Sequence, residues 1–465
     1  MLSALGCVVS KPESMGQILF KNANVVNEGL CFKGGIFVKD GIITDIFDYD
    51  RFDDSVRQAS LEIAADDVYD LGWCFLSPGV IDTHVHFREP GATHKGCISS
   101  ESKAAVAGGV TSYLDMPNNN PPSVFAEALQ AKMDIASRDS VANYGFYLGA
   151  TDANIDAVAG AAASGACAIK VFMGASTGGL MVHSDTSLRR IFEHSPLMIA
   201  THCEDNSIIA ANCARIKSQH GEDIPVAMHP AIRTAAACLA STAKAVSLAL
   251  ETGARLHILH VSTEAEVELL SKVTSRTDRI SAETCVQYLC FDESDYDRYG
   301  AQIKCNPAIK SAADKSALCD AVRAGIIKTI STDHAPHLLS EKQGGCLQAA
   351  SGIPLVQYSL LMMLEKVREG EFTLPMVVEK MCHAPARMFG IGRRGFIRKG
   401  YYADLVVFST ARASEVAPLS RCGWSPVTSF SSSIIYTFVN GNLAFAGGTV
   451  VSDAPRGMQL EFDNR

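Results

Sequence analysis

The stretch Pro78-Gly-Val-Ile-Asp-Thr-His-Val-His-Phe-Arg-Glu-Pro90 decides how the rest of the chain is interpreted. Residues 79 to 85 are largely apolar and include β-branched residues, and the preceding Pro-Gly pair is typical of a turn, so we predict a buried strand. Side chains two residues apart on a strand point to the same side. We therefore expect His84 and His86 to project together at the C-terminal end of this strand, where two imidazoles can bind one cation.

Apolar stretches of strand type recur along the middle of the chain. We predict eight strands, at Leu76–His86, Gly109–Asn118, Ala142–Ala150, Ala166–Gly174, Leu197–Asp205, Arg255–Thr263, Arg279–Cys290 and Gly325–His337. Most are separated by helical, Ala-rich segments such as Ser99–Ala107 and Ala231–Leu250. This alternation indicates an α/β protein with a (β/α)8 TIM barrel. An open doubly wound sheet is the alternative, but no glycine-rich nucleotide-binding motif supports it.

Both ends of the chain carry short strands rather than strand–helix units. The Lys39-Asp-Gly41 segment suits a hairpin turn between two of them. We predict one discontinuous β-sandwich built from both chain ends. The predicted organisation is an N-terminal extension over residues 1–16, the first part of the sandwich over 17–75, the metal-dependent barrel over 76–390, and the second part with the C-terminal tail over 391–465.

Composition excludes several classes of function. The chain has 465 residues, of which 47% are hydrophobic, which is ample for a large core. A net charge of -9 argues against nucleic acid or an anionic membrane as the main partner. The 15 cysteines are scattered, with no C-x-x-C pair, and this pattern is typical of free thiols in a reducing cytoplasm. We therefore expect a cytoplasmic protein that acts on a small molecule.

The C-terminal ends of the strands are where barrel enzymes place their chemistry. Polar residues close six of the eight predicted strands, and ligand-type side chains stand on strands one, four, five, six and eight. These side chains are His84, His86, Lys170, His202, His260 and Asp333. Each alone could be a hydrogen-bonded residue of the core. Together they indicate a metal site.

Lys170 is unusual because it interrupts the apolar segment Ile-Lys-Val-Phe-Met. Burial favours the neutral amine and lowers the pKa of a lysine. Lys170 could simply reach solvent or pair with a carboxylate. Alternatively, its neutral amine could capture carbon dioxide as a carbamate, whose two oxygens would bridge two cations. Four imidazoles, one aspartate and such a carboxylate suit Zn²⁺, although other first-row metals are possible. Asp333 could both bind metal and carry a proton to the leaving nitrogen.

These motifs together resemble the amidohydrolase superfamily, and specifically its dihydroorotases. The resemblance rests on His84-x-His86 followed by Phe87-Arg-Glu-Pro-Gly91, and on Asp333-His-Ala-Pro-His337. Other segments of the family type are Asp115-Met-Pro-Asn-Asn-Asn-Pro121, Lys170-Val-Phe-Met-Gly, His202-Cys-Glu-Asp and Ile303-Lys-Cys-Asn-Pro-Ala-Ile-Lys310. The Lys170 segment also resembles those of allantoinases and hydantoinases, which hydrolyse similar cyclic amides.

The resemblance implies two zinc ions per subunit. One ion would be bound by His84, His86 and Asp333 and the other by His202 and His260, with carboxylated Lys170 as the bridge. It also implies that the substrate carboxylate is held by Arg88, Asn118 and His337. Asn306 would contact the dihydropyrimidine ring.

The implied function is a zinc dihydroorotase that interconverts dihydroorotate and N-carbamoyl-aspartate in pyrimidine (UMP) synthesis. Among enzymes, an allantoinase or hydantoinase is the alternative. Arg88 favours dihydroorotate because that ring carries a carboxylate, which allantoin and simple hydantoins lack. A non-catalytic scaffold is the alternative outside enzymes, and the six filled ligand positions count against it. A homodimer is the commonest state for such a chain.

Overall fold

The first three strands along the chain form an antiparallel meander, and the next two strands pair parallel with the first. The computed structural model describes residues 16–53, 55–174, 179–451 and 456–463. Residues 1–15 of the predicted N-terminal extension lie outside these ranges. The strands are β1 (Gln17–Asn27), β2 (Leu30–Lys39), β3 (Ile42–Asp48), β4 (Asp67–Asp70) and β5 (Phe75–Pro78). β2 pairs antiparallel with β1 and β3, while β4 and β5 pair parallel with β1.

The middle of the chain forms a parallel barrel. Its strands are β6 (Val80–Val85), β7 (Val110–Asp115), β8 (Asn143–Phe146), β9 (Leu148–Gly149), β10 (Ile169–Phe172), β11 (Ile199–His202), β12 (Leu256–Ile258), β13 (Ile280–Cys285) and β14 (Thr329–Ser331). β6, β7 and β8 pair in sequence, as do β9 to β14. β9 continues β8 after Tyr147, and a parallel bridge between Val85 and His334 joins the last strand to the first. The predicted (β/α)8 barrel is therefore confirmed.

The C-terminal strands complete the sheet that the N-terminal strands begin. They are β15 (Leu405–Ser409), β18 (Ser433–Val439), β19 (Asn442–Ala446) and β20 (Thr449–Val450), whereas β16 (Ser414–Glu415) and β17 (Ser429–Phe430) pair only with each other. β15 pairs antiparallel with both β5 and β18, which joins the two ends of the chain in one sheet with the order β20-β19-β18-β15-β5-β1-β2-β3. The predicted β domain from both termini is confirmed. The domain boundaries themselves stay a prediction, and β5 runs across the first of them.

Helices separate most of the barrel strands. In chain order they are α1 (Ser55–Ala64), α2 (Ile98–Ala107), α3 (Ala126–Asp139), α4 (Ile155–Ala159), α5 (Asp185–His194), α6 (Asn206–His220), α7 (His229–Ile232), α8 (Ala235–Thr252), α9 (Glu264–Thr274), α10 (Val286–Cys290), α11 (Tyr296–Tyr299), α12 (Ala312–Arg323), α13 (Ser359–Arg368), α14 (Leu374–Val378) and α15 (Ala384–Phe389). Among the described residues, none of the helices combines the length and the apolar character that a membrane span requires.

The predicted strands are all longer than the observed ones, and two of them also run into an element outside the barrel sheet. The prediction Leu76–His86 is divided at Gly79, because β5 pairs with the terminal sheet and only β6 belongs to the barrel. Gly79 donates its N–H to Asp404 O, and a Cβ there would lie 2.2 Å from the Thr111 side chain. The prediction Arg279–Cys290 ends at Cys285, where α10 begins. A short buried apolar run has no periodicity that distinguishes strand from helix.

Burial of the barrel strands fixes the backbone at the C-terminal end of the barrel. Every residue of β6, β7, β10 and β11 is buried. Fully burying each large apolar side chain contributes about 1.5–3 kcal/mol. The polar residues that follow these strands are therefore held by well-packed backbone at the C-terminal end of the barrel.

Candidate active site

A pocket with a volume of about 90 Å³ lies at the C-terminal ends of the barrel strands. The ten residues that the sequence nominated all line it, namely His84, His86, Arg88, Asn118, Lys170, His202, His260, Asn306, Asp333 and His337. The lining is completed by Phe172, Ala335, Ser351 and Gly352. Residues that are far apart in the chain thus face one small volume.

Two histidines and one aspartate form a cluster of potential metal ligands at the ends of β6 and β14. Asp333 Oδ1 lies 3.2 Å from His84 Nε2 and 3.0 Å from His86 Nε2. His84 and His86 stand two residues apart at the strand end, so both rings turn to the same side. Imidazole nitrogens and a carboxylate oxygen that converge in this way can hold a metal ion.

Hydrogen bonds on the far side of each ring orient the first two histidines. His84 Nδ1 lies 2.7 Å from Glu283 Oε1, and His86 Nδ1 lies 2.6 Å from Asn118 Oδ1. In each ring, Nδ1 can donate its proton outward, which leaves Nε2 as the ring atom that faces Asp333 and the pocket. Burial lowers the pKa of His84, but the Asp333 and Glu283 charges outweigh it and raise that pKa to about 9. Such outer partners of ligand histidines are usual in metal sites.

A second pair of histidines meets across the pocket. His202 Nδ1 lies 2.8 Å from His260 Nε2. Burial lowers the pKa of both imidazoles, and the adjacent His202 lowers that of His260 further. Both rings are therefore held in the neutral form that binds metal.

Glu204 is the outer partner of His202. Its Oε2 lies 3.0 Å from His202 Nε2 and also accepts a hydrogen bond from Arg233. The Glu204 side chain is fully buried, and burial alone would raise its pKa, but the Arg233 charge holds that pKa well below its usual range. Glu204 is thus an ionised carboxylate that directs His202 Nδ1 toward His260.

Lys170 lies in β10 and is 1% exposed. Its Nζ stands 4.5 Å from the centre of the Phe172 ring. Burial lowers the pKa of Lys170 to about 8, although the charges of Asp333 and Glu283 oppose the shift. A lysine with this pKa has a larger neutral fraction near neutral pH than an ordinary lysine, and the pocket gives its amine access to a small reactant.

The residues present fit a metal centre. The donors are four neutral-capable imidazoles and one carboxylate, and an amine that could carry a further carboxylate stands beside them. Three of the four histidines, His84, His86 and His202, have their outward ring nitrogen in a hydrogen bond. Nitrogen and oxygen ligands of this kind suit Zn²⁺ and its neighbours among the first-row metals.

Arg88 and Lys95 bring positive charge to one end of the pocket, where Lys95 is also paired with Glu341 at 2.7 Å. Arg88 Nη2 lies 3.1 Å from His337 Nε2, and Lys95 Nζ lies 3.2 Å from His337 Nδ1. Burial and these two cations lower the pKa of His337 to about 2, so its ring is neutral. Arg88 also donates from Nε to Pro336 O, which fixes the guanidinium toward the pocket. A planar fork of this kind matches a carboxylate.

Glu283, Glu204 and Arg233 support the site, but sequence reasoning gave them no role. Glu204 was part of a recognised motif, and Glu283 is an acidic residue inside the predicted strand Arg279–Cys290, so its burial was a usable signal. Arg233 fell inside the predicted helix Ala231–Leu250. The structure breaks that helix between Ile232 and Ala235, and Arg233 reaches Glu204 from the break.

Known proteins resemble this chain over most of its length. The amidohydrolase family profile matches residues 75–444. A dihydroorotase of Enterococcus faecalis is 31% identical over 442 residues, which are 92% of this chain and 98% of that protein. An allantoinase of Bacillus velezensis is 30% identical over 396 residues, 84% of each chain. The solved structure of an L-hydantoinase (dihydropyrimidinase) from Arthrobacter aurescens superposes with a TM-score of 0.87 at 28% identity, covering 96% of this chain and all of the other.

Proposed function

The chain belongs to the amidohydrolase family and is a hydrolase of cyclic amides, and we propose that its substrate is (S)-dihydroorotate. The reaction would be the reversible hydrolysis of the ring amide to N-carbamoyl-L-aspartate, a step of de novo pyrimidine (UMP) synthesis. We further propose that the protein works in the cytoplasm, and as a homodimer. Its partner in this proposal is the small-molecule substrate, with no nucleic acid or membrane involved.

The observation that carries the substrate proposal is the cationic end of the pocket. Arg88 and Lys95 flank His337 on one side of the metal cluster. A ring that carries a carboxylate beside the scissile amide can place that carboxylate on Arg88 while its carbonyl meets the metal side. Allantoin and simple hydantoins have no such group, so Arg88 would remain unpaired in their complexes.

The proposed metal ligands follow the two histidine pairs. One zinc ion would be held by His84, His86 and Asp333, the other by His202 and His260, with carboxylated Lys170 between them. When bound, the ions supply Lewis-acid polarisation of the ring carbonyl and activation of water.

Asp333 is the proposed proton carrier. The His84 and His86 contacts keep the pKa of the Asp333 carboxyl well below its usual range, against the effect of burial, so the group is ionised. Its carboxylate can accept a proton from water and give it to the ring nitrogen as the C–N bond breaks. Water thus supplies hydroxyl to the carbonyl carbon and hydrogen to the nitrogen, which balances the hydrolysis.

The substrate would be oriented by four side chains of the pocket. Arg88, Asn118 and His337 are proposed to hold the carboxylate, and Asn306 to contact the ring. Asn306 Oδ1 lies 3.0 Å from His229 Nε2, a contact that fixes the direction of its amide. Holding the ring in one orientation supplies much of the rate gain in such reactions, because the entropy cost of orienting the reacting atoms is met on binding.

Hydantoinase or allantoinase activity is the alternative, since relatives of both kinds match at an identity similar to that of the dihydroorotases. A non-catalytic scaffold is a third possibility, and a filled set of ligand positions argues against it. Steady-state hydrolysis of L-dihydroorotate, allantoin and hydantoin by zinc-loaded protein tests the proposal. Higher kcat/KM for dihydroorotate supports it, and higher kcat/KM for either of the others overturns it. Failure to retain zinc would favour the scaffold.

A further inference from the structure

Two buried lysines stand directly behind the cationic end of the pocket. Lys304 is 5% exposed and Lys342 is 3% exposed. None of the ion pairs of the described residues includes either lysine, and no carboxylate contributes to the pKa of either group. Burying a charge without a partner of opposite sign is costly. Burial lowers the pKa of both groups, that of Lys342 to about 7, so the charged form of Lys342 depends on its hydrogen bonds and not on a carboxylate.

Lys342 uses its donors on the loop that closes the pocket. Its Nζ lies 2.9 Å from Lys304 O, 2.8 Å from Ala350 O and 2.9 Å from Gly352 O. Three acceptors around one nitrogen match the three donors of an ammonium group, whereas a neutral amine has only two. These three contacts favour the charged form of Lys342, against the effect of burial.

Gly352 connects the Lys342 contacts to the pocket, because it accepts a hydrogen bond from Lys342 and also lines the pocket. Its N–H donates to Lys304 O at 2.9 Å, so both its backbone groups are held by the lysine pair. The backbone has φ of +146°, and a Cβ at this position would lie 3.0 Å from His337 Cδ2. The loop therefore packs against the ring of His337, with no room for a side chain between them.

A second contact fixes His337 from the other side. Trp424 Nε1 donates to His337 O at 2.7 Å, and Lys342 Nζ stands 5.8 Å from the centre of the Trp424 ring. The Lys342 charge also contributes to the lowered pKa of His337. Lys342 is thus mechanically and electrostatically coupled to the residue that Arg88 contacts.

We propose that Lys342 is a specificity-determining positioning residue, which sets the loop against His337 and adds positive charge behind the pocket, so that the site selects rings bearing a carboxylate. This rests on the proposed function and deepens it. When Lys342 is charged, the charge that reaches His337 also favours an acidic substrate there and has little effect on a neutral ring. Fixing the loop acts mainly on binding, since Lys342 touches none of the proposed metal ligands.

The test compares an acid with its neutral analogue. L-Dihydroorotate and dihydrouracil share the ring and differ by the carboxylate. In Lys342→Met we expect kcat/KM for dihydroorotate to fall roughly 10- to 100-fold, mostly through KM, as for loss of one charged contact. The value for dihydrouracil should change less than about threefold, and Lys342→Arg should recover part of the loss.

Lys380→Met is the matched control. Lys380 is also a buried lysine, 6% exposed, that donates to a backbone carbonyl, but its acceptor, Ile327 O, precedes β14 at the opposite end of the barrel. Its removal should leave the ratio of kcat/KM for L-dihydroorotate to kcat/KM for dihydrouracil unchanged. If Lys342→Met lowers kcat/KM equally for L-dihydroorotate and dihydrouracil, or lowers neither value, the inference is overturned.

A second pair of substrates allows this inference to be tested even if the dihydroorotase proposal fails. If the wild type prefers hydantoins, the dihydroorotase proposal fails, and 5-carboxymethylhydantoin and hydantoin replace the first pair. The same criterion then applies to Lys342→Met. A selective loss on the acidic hydantoin supports the role of Lys342, and an unchanged ratio of acidic to neutral hydantoin refutes it.

Discussion

His84 Nδ1 and Glu283 Oε1 lie 2.7 Å apart, which links the end of β6 to the end of β13 across the barrel interior. Both side chains are almost completely buried. The carboxylate can fix the proton on Nδ1, and it thereby directs Nε2 toward Asp333 and the proposed metal. A residue that sequence analysis overlooked thus decides whether the first ligand of the site is correctly oriented.

Glu283→Gln should weaken metal binding. Glutamine keeps the shape of Glu283 but removes the charge that fixes the His84 tautomer. We expect metal affinity to fall about 10- to 100-fold, as for other outer contacts of ligand histidines, and zinc titration with a competing chelator measures it. Glu266→Gln is the control, since Glu266 is a buried acid that bonds Thr242 and Thr263 outside the site. Equal affinities in wild type and Glu283→Gln would contradict this role.

Lys170→Ala should remove the proposed bridge. Without the amine no carbamate can form, so the loss of metal affinity should exceed the roughly 100-fold upper range for an outer contact, and activity should fall to background. Metal content per chain and intact mass, measured with and without bicarbonate, report on the bridge. Lys380→Ala serves as the control for removing a buried lysine. Full metal content and full activity in Lys170→Ala would show that the bridge is not needed.

Arg88→Met should act on the substrate rather than the metal. Losing one charged hydrogen-bonding partner lowers kcat/KM for L-dihydroorotate by roughly 10- to 100-fold, while hydantoin hydrolysis should stay within about twofold. Arg190→Met, on the exposed part of α5, is the control. Parallel losses on both substrates would indicate that Arg88 supports the fold and not the carboxylate.

Arg233→Met should destabilise the fold by leaving Glu204 charged and unpaired. Breaking a buried ion pair from one side costs about 3–5 kcal/mol. In the double variant with Glu204→Gln, most of that loss should be recovered, because no unpaired charge remains. Denaturant unfolding of the four proteins without metal gives the coupling energy. Simple additivity of the two single changes would refute the ion-pair account.

The barrel and the pocket lining could be predicted because six of the eight predicted strands end in polar residues, most of them of ligand type. His84, His202 and Asp333 stand where parallel strands must converge, so the topology alone brings them together. Strand limits were less predictable: Gly79 separates two sheets through a close approach to Thr111 that no local pattern encodes. Contacts between distant segments have no local signal either. Arg233 lay in an apparent helix, and only the packed structure shows that it turns out to meet Glu204.

The most direct test of the central claim is ring closure by zinc-loaded wild type with N-carbamoyl-L-aspartate as the sole substrate. The account predicts that dihydroorotate forms, and that Asp333→Asn abolishes its formation because no carboxylate remains to carry the proton. Absence of dihydroorotate, in protein that holds zinc and opens hydantoin or allantoin, would contradict the account and assign the site to another cyclic amide.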